Sequence, residues 1–510
     1  MDKVPASFRL YQLIFNFVYP HCNLNPFKSK VPREDIFERI VKMRHNDIQD
    51  KLRKIFNESE SGLEFEEKAN NFFRDFYCRE LGYFFEWLDS QYLNDCLNQG
   101  NRVERRDERS IQTLLGTVTY KRRLYRDRRK KMHYHLDEIL DFEKGKRYSP
   151  LVVKLVSQVA TKATYRQTEF ILAKLTPITV SATGIREMVL HVSENLKKHG
   201  EYQEYGLIEN KNRIVPVLFV EGDAVAIKQQ DASLRYLHRF QIHEGYQGFG
   251  KVRHCRNLKE FTDFSRDKAY QEIFSYLRTE YKLEESIVLA NSDGGPGYQA
   301  SIFEELCLGA KRVEFFLDKY HANRKILDNA SDRELARKLI KAVINYNWDR
   351  VKAIEDTLES NLVLDEENNA VELEKLQRLK RYLKRNWKYL KPWSLRDLSM
   401  PRGGLGTVES HHRPYSYRMK KQGRSWGKKG EEAMVSIITA QQNHIYDKLQ
   451  SKNWAKEIEN LDKKAPATGD KYDKISVNNG TEAIKQANIP NNGPASSNLG
   501  RFKKELLGKN

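Results

Sequence analysis

Cysteine is scarce and scattered. Five occur in 510 residues (Cys22, Cys78, Cys96, Cys255 and Cys307), an odd number with no C-x-x-C pair, which argues against a disulfide framework or a zinc ribbon and fits a reduced cytosol. Long apolar runs are missing too. Nothing approaches the ~20 residues of a membrane-spanning helix, and Met1 to Leu13 lacks the apolar core and small-residue cleavage site of a secretory signal. No internal repeat is present. Negative charge is in deficit: 70 Asp and Glu against 89 Lys and Arg give a net +19 and a pI near 9.4. Such an excess selects a polyanionic partner, nucleic acid before membrane. The expected location is cytoplasmic and nucleoid-associated, and the length predicts several domains with a substantial core.

Along the chain, residues 1 to about 105 read as helical. Phe72, Phe73, Phe76, Tyr77, Leu81, Phe84, Phe85 and Leu88 recur at steps of three and four, as in a core stripe or a dimerising helix pair. Gly116 to Tyr120 alternates like a strand and runs into Lys121–Lys131, where eight of eleven residues are Lys or Arg. A hairpin turning near Asp127 is expected there. This run is either a solvated face or, given Tyr120 and Tyr125 within it, a contact for phosphates through Lys121, Arg122, Arg123 and Arg126. Residues 148–198 read as three helices. Thr164-Tyr165-Arg166-Gln167 is a capping box, Pro177 ends the second helix, and Ser181 caps the third. The arrangement suits a helix-turn-helix whose Thr183, Arg186 and Glu187 face a major groove, although plain three-helix bundles share it.

From residue 212 the pattern turns to strands: Ile214–Val220, Leu237–His243 and Gly250–Cys255. A helix near 264–281, a strand Ile287–Ala290, a helix after Pro296, a strand Arg312–Phe316 and a helix from near Asp318 follow, making a mixed α/β sheet. Residues 331–400 form a helical block broken by an acidic loop at Asp365–Asn369. A last helical region begins at Ser425-Trp426 and runs to about Leu449, and a basic, structureless tail is expected beyond about Lys463.

Three acidic motifs carry the chemistry. Val220-Glu221-Gly222-Asp223 and Asn291-Ser292-Asp293-Gly294-Gly295 each close an apolar run, and Gly406-Thr407-Val408-Glu409-Ser410 opens a basic helical stretch. Glu221 and Asp223, two apart in a strand, project to one face. In a helix Glu409, His412 and Arg413 stack together, and Arg413 can hold a phosphate. Carboxylates so placed can share divalent cations and perform phosphodiester chemistry. Any one of them alone is more often a solvated strand end.

The ordered set resembles bacterial insertion-sequence transposases with a ribonuclease H-like Asp-Asp-Glu core, in the Mutator-like branch, and more narrowly a group of long elements first catalogued as an uncharacterised family. The resemblance runs from about Phe72 to Gln442. It includes Arg79-Glu80-Leu81, Gly116-Thr117-Val118, Tyr165-Arg166, the three acidic motifs, Asp318-Lys319-Tyr320-His321, Arg418-Met419-Lys420 and Gly423-Arg424-Ser425-Trp426. It implies a multidomain chain: a helical N-terminal region (1–105), a basic hairpin plus helix-turn-helix-like region (106–200), a ribonuclease H-like α/β core (210–330 and 405–450) interrupted by an all-α insertion (331–404), and a basic tail (451–510).

By the same resemblance, Asp223, Asp293 and Glu409 are the catalytic and metal-binding residues, holding two Mg²⁺ or Mn²⁺ ions ~3.5–4 Å apart. Water would cut the element's end, and the freed 3′-hydroxyl would then attack target DNA at the same site. Glu221, Asp318 and His321 are possible accessory residues, His321 being structural or chemical. Lys121, Arg122, Arg123, Arg126, Thr183, Arg186, Arg413, Arg418 and Trp426 would contact double-stranded DNA, Trp426 being either core or a base-stacking residue. A homo-oligomer, a dimer first, is expected, with no membrane contact. Ala224 stands where the family has glycine, and Pro414 would kink or restart the catalytic helix. The rivals are a structure-selective nuclease on the same fold and a decayed, non-catalytic DNA binder.

Overall fold

The computed structural model describes residues 45–205, 212–248, 254–363, 366–398, 405–421 and 424–446. The chain divides into two compact units between Ser149 and Pro150, inside the 106–200 stretch. The expected tail, the segment before His45 and most of the strand expected at 250–255 lie outside the described residues.

In the first unit, α1 (His45–Asn57), α2 (Gly62–Gln91) and α3 (Leu93–Asn98) precede a sheet of β1 (Arg102–Thr113), β2 (Gly116–Arg126) and β3 (Met132–His133), and α4 (His135–Ile139) follows. Ser61 caps α2 by accepting from the Glu64 N–H at 3.2 Å, and Glu64 reaches back to the Glu60 N–H. The aromatic stripe of α2 is only partly covered. Phe85 and Leu88 are buried against Ile111, Val118 and Tyr120, whereas Phe73 is exposed.

The principal hairpin is β1–β2, turning at residues 114–115, and the expected turn near Asp127 leads only to the two-residue β3. β1 was hidden because its first half is charged on both faces. Its partners across the ladder are the basic residues of β2, such as Glu108 opposite Lys121. The far edge of β2 is closed by α2. Glu86 accepts the Lys121 N–H at 2.8 Å, Asp89 accepts the Arg123 N–H at 3.2 Å, and a Cβ on Gly82 would lie 2.6 Å from the Thr119 carbonyl oxygen. Glycine lets the helix approach closely, and the carboxylates satisfy an edge that would otherwise pair with other chains.

The second unit begins with α5 (Pro150–Ala160), α6 (Tyr165–Leu175) and α7 (Ala182–Tyr205). The capping box forms at Thr164 and Gln167, and Ser181 accepts the Gly184 N–H at 3.2 Å. Ile185, Met188, Val189 and Val192 are buried, while Thr183, Arg186 and Glu187 are exposed, as the spacing predicts.

The sheet follows: β4 (Val217–Lys228), β5 (Leu234–His243), the short pair β6 (Tyr246–Gln247) and β7 (His254–Cys255), β8 (Lys259–Asp263), α8 (Arg266–Glu280), β9 (Ile287–Ser292), α9 (Ala300–Leu306) and β10 (Arg312–Leu317). Its five-stranded order is β10-β9-β4-β5-β8. β4, β9 and β10 are mutually parallel, and β5 is antiparallel to both neighbours. Leu218, Val220, Phe240, Ile242, Val288 and Ala290 turn one face of the sheet into the main core. That core is completed by α8, α9, α10 (Lys319–Asn329), α11 (Arg333–Ile344), α12 (Trp348–Val363) and α13 (Glu366–Leu390). Glu366–Asn369, expected in a loop, belong to α13. On the other face Phe219, Leu289 and Phe316 pack with Trp393 and Leu405. The chain then forms α14 (Thr407–His411), α15 (Arg413–Met419) and α16 (Lys428–Gln442). α16 packs on β8 and α7, which joins the three-helix segment to the sheet.

Candidate active site

Asp223 is not at a strand end. β4 continues to Lys228 because β5 pairs with it throughout; it is the β9 ladder that stops, at Glu221 opposite Asn291. Two residues further in that register, Asp223 stands level with Asp293. On the opposite side of β9 the ladder with β10 ends at Ser292 opposite Leu317, so Asp318 comes level with Asp293, and the Asp318 N–H donates to the Ser292 carbonyl at 2.7 Å. Three aspartates thus occupy one row across the carboxyl ends of the two adjacent parallel pairings, β4–β9 and β9–β10. That is where an open α/β sheet leaves its crevice.

Glu221, on the same face of β4, anchors the third motif. Fully buried, its carboxylate accepts the Gly406 N–H at 3.0 Å and the Val408 N–H at 2.7 Å. It also accepts from the Thr407 hydroxyl at 3.0 Å and the Gln241 amide at 2.9 Å. An anion at a helix start satisfies the free amides and favours the helix dipole. Glu221 therefore positions α14 and is not itself presented to a ligand. Gly406 has φ +89°, and a Cβ there would sit 2.8 Å from Asp318 Oδ2, so glycine is required on both counts.

The clamp delivers Glu409 to Asp223, with His412 between them. His412 Nε2 lies 2.8 Å from Asp223 Oδ2 and 3.8 Å from Glu409 Oε2, and the three donor atoms lie within 4.8 Å of one another. His321 Nε2 comes within 4.0 Å of Glu409 Oε2, buried and without a hydrogen-bond partner. Asp318 caps α10 through the His321 N–H at 3.0 Å. Asp293 lies outside the tight triplet, and its Oδ1 accepts the Gly295 N–H at 2.8 Å. Its charge still reaches the neighbourhood: burial first, with the charges of Asp223 and Asp293 adding to it, raises the Tyr298 phenol. A Cβ on Gly222 would lie 2.9 Å from the Tyr298 ring, which explains the glycine between Glu221 and Asp223.

Burial pushes the Asp223 carboxyl up, but the His412 hydrogen bond and the Ala224 N–H outweigh it and hold it below the usual range. Ala224 thus supplies that amide as glycine would. Asp318 is pushed the other way, mainly by burial, with the charge of Asp223 adding to it. Oxygen donors from two chain segments, a like-charge strain and an orphaned imidazole nitrogen make a donor set that suits a divalent cation.

Beneath these groups lies a buried polar layer that the acidic motifs do not announce. Arg239, level with Asp223 across the β4–β5 ladder, is fully buried. It faces His412 Nδ1, Glu260 at 3.1 Å and the Tyr415 ring. Its sequence signal was the alternation Arg239, Gln241, His243 along one face of β5. Pro414 does no harm, because it sits in the first turn of α15, where its missing N–H is not needed. Next to α14 an open groove of about 730 Å³ is lined by Tyr246, His254, Cys255, Thr407, Ser410 and His411, without any of the aspartates.

Several expected DNA contacts are structural. Arg418 is buried, donates to the Ala160 carbonyl at 2.7 Å and covers the Tyr165 and Trp426 rings, and burial lowers it to about 10. Trp426 is buried, bridges to the end of β4 and donates its indole N–H to the Met419 carbonyl at 3.0 Å. Arg122 pairs with Asp137 and lies over the Tyr134 ring, and Arg123 pairs with Asp89. Consecutive strand residues face opposite sides, so one is drawn to α4 and the other to α2. Lys121, Arg126, Arg413, Thr183 and Arg186 remain exposed, Arg126 paired with Glu104 at 2.6 Å.

Residues 57–457 match the uncharacterised protein family UPF0236. The chain belongs to that family. It is 35% identical over 468 residues to a Streptococcus gallolyticus protein named as a UPF0236 protein in the vanSb 3′ region, covering 90% of this chain and 99% of the relative. A UPF0236 protein of Caldanaerobacter subterraneus subsp. tengcongensis is 26% identical over 348 residues, 67% of this chain and 69% of its own length.

Proposed function

We propose that this UPF0236 member is the DNA transposase of an insertion sequence, cutting element ends and joining them to target DNA by phosphoryl transfer. The observation that carries the reading is the convergence of Asp223 with Glu409, in a row with Asp293 and Asp318, on a sheet whose order and directions are those a ribonuclease H-like core requires. The all-α block α11–α13 falls between the second and third acids, as an insertion would. Kinship adds support. The name of the Caldanaerobacter relative joins eleven numbered designations in one organism, and recurrence of one protein within a genome is what a self-propagating element leaves behind.

Bound Mg²⁺ or Mn²⁺ would supply Lewis acidity, raising the reactivity of an attacking oxygen and stabilising the leaving one. Asp223, Glu409 and Asp293 would hold it, with Asp318 and His321 beside them. Glu221 keeps α14 in register with β4 so that Glu409 stays within reach of Asp223. His412 fixes the Asp223 carboxylate. The exposed basic turn at 128–131 and the exposed face of α7 offer surfaces for duplex DNA.

The test is incubation of purified protein and Mg²⁺ with a labelled duplex of the element's end and a target plasmid. Cutting followed by joining is expected. Cutting that never proceeds to joining, with ends prepared in advance as well, would replace this reading with the nuclease. Neither activity in a folded, DNA-binding protein would replace it with the non-catalytic binder.

A further inference from the structure

His133, His135 and Glu138 form a second cluster of metal-ligating side chains, in the first unit, and none of the three is among the residues assigned above. Local geometry brings them together. His133 ends β3, Tyr134 is extended at the N-terminal boundary of α4, and His135 and Glu138 lie one turn apart on that helix. The switch from strand to helix at Tyr134 turns both imidazoles toward one carboxylate. His133 Nδ1 is 3.2 Å from Glu138 Oε1, His135 Nδ1 is 3.7 Å from Glu138 Oε2, and one donor atom from each residue lies within 4.8 Å of the other two.

These spacings are informative. Bonds of about 2.0–2.1 Å in a tetrahedral zinc site put neighbouring donors about 3.3 Å apart. The shorter separation matches that edge, and the longer one is long for a hydrogen bond but needs little movement to reach it. Donor chemistry selects the ion: two imidazoles and one carboxylate suit zinc, whereas magnesium prefers all-oxygen sets. The walls are apolar and aromatic: the Tyr92 ring stands edge-on to His135 at 5.4 Å, and Tyr125 is 5.9 Å from His133. Glu138 is half-exposed, leaving a solvent side for a fourth ligand.

We propose that His133, His135 and Glu138 bind one zinc-class divalent cation with a structural role. The ion ties β3 to α4 directly after the basic turn at 128–131. It also steadies Asp137, the neighbour of Glu138, which holds Arg109 and Arg122. Anchoring the exit of that turn would fix the direction of its cations, independently of the acidic site and of the reaction proposed for it.

The experiment uses untagged full-length protein, stripped with chelator, then given zinc in the presence of millimolar Mg²⁺ to fill oxygen-donor sites. Metal is counted after gel filtration, and melting is followed with and without zinc. The wild type is expected to keep about one zinc per chain and to melt higher with it, since an ion that binds only the folded state stabilises it. Asp223→Asn/Glu409→Gln should keep that zinc, whereas His133→Ala and His135→Ala should lose it together with the zinc-dependent shift. If the alanine variants do not fold, Glu138→Gln decides, with at least a tenfold loss of zinc affinity expected. The proposal is overturned if the wild type retains no zinc, if zinc is lost only with the acidic-site variant, or if folded Glu138→Gln binds as the wild type does.

Discussion

Only one tautomer of His412 satisfies the 2.8 Å contact between its Nε2 and Asp223 Oδ2 together with the Arg239 contact at its Nδ1. A guanidinium has no lone pair to offer, so Nδ1 must accept, Nε2 must carry the proton, and Asp223 receives it. His412 is thereby a donor that orients Asp223 rather than a ligand in its own right. Such support of a metal-holding carboxylate is typically worth 10–100-fold in metal affinity or activity.

His412→Ala should therefore lower single-turnover end cleavage by about 10–100-fold while end binding stays the same. It should also weaken the acid tolerance of the metal-free fold. Asp223 titrates below 3.8 in the folded chain, so its stabilising contribution is present above 3.8 and lost as pH falls through the lower folded value. Without His412 that loss begins at higher pH. Urea midpoints measured from pH 6 downwards check this, and identical acid limbs for wild type and variant would contradict it.

Asp318 has the opposite sign. Its folded carboxyl titrates above 3.8, so the unfolded chain releases its proton first. Stability falls as pH rises from 3.8 through the raised value, and the cost is complete above it. Asp318→Asn removes that cost and still caps α10, since asparagine is as good an N-cap as aspartate. The metal-free variant should melt higher than wild type at pH 7, with the difference vanishing in acid. A lower melting temperature at pH 7 would contradict this.

The basic hairpin separates folding from binding. Arg123→Ala should destabilise the first unit by about 3–5 kcal/mol, because Asp89 is left buried without its charged partner, and Arg122→Ala by less, because Asp137 keeps Arg109. Combined replacement of the exposed Arg128, Arg129 and Lys130 by alanine should leave melting unchanged. It should weaken DNA binding and lower the salt slope by about one per lost phosphate contact. Filter binding across a salt series, with melting on the same samples, distinguishes the two groups.

The contrast marks what was legible in the sequence. Local signals were: the capping box at Thr164, the inward face of α7 and the apolar run through Val220. What depended on distant partners was not. Nothing near Arg123 foretells Asp89, nothing near Trp426 foretells the end of β4, and a run of eight cations reads alike whether its members face solvent or a buried carboxylate. Glu221 was seen beside Asp223 but not as the clamp on α14, because its amide partners lie across the whole helical block. β1 escaped because its pairing is between charges, which hydropathy does not register.

Asp293→Asn isolates the charge in the middle of the aspartate row. The amide is nearly isosteric, and its oxygen can still accept the Gly295 N–H that Asp293 Oδ1 now takes at 2.8 Å, so the turn after β9 should persist. Removing one of several like charges should leave the metal-free fold equally or slightly more stable. DNA binding should survive, because the exposed cations that would carry it are untouched. Mg²⁺-dependent cutting and joining should both fall below detection, since a single site is proposed for the two steps and an amide holds a hard cation far less well than a carboxylate. The measurement is cutting and joining of a labelled end duplex by both proteins, with melting and binding in parallel. A folded variant that cuts at the wild-type rate would remove Asp293 from the site and leave Asp223, Glu409 and Asp318 as the carboxylates to test. A variant that loses joining but keeps cutting would show that the two steps use different groups.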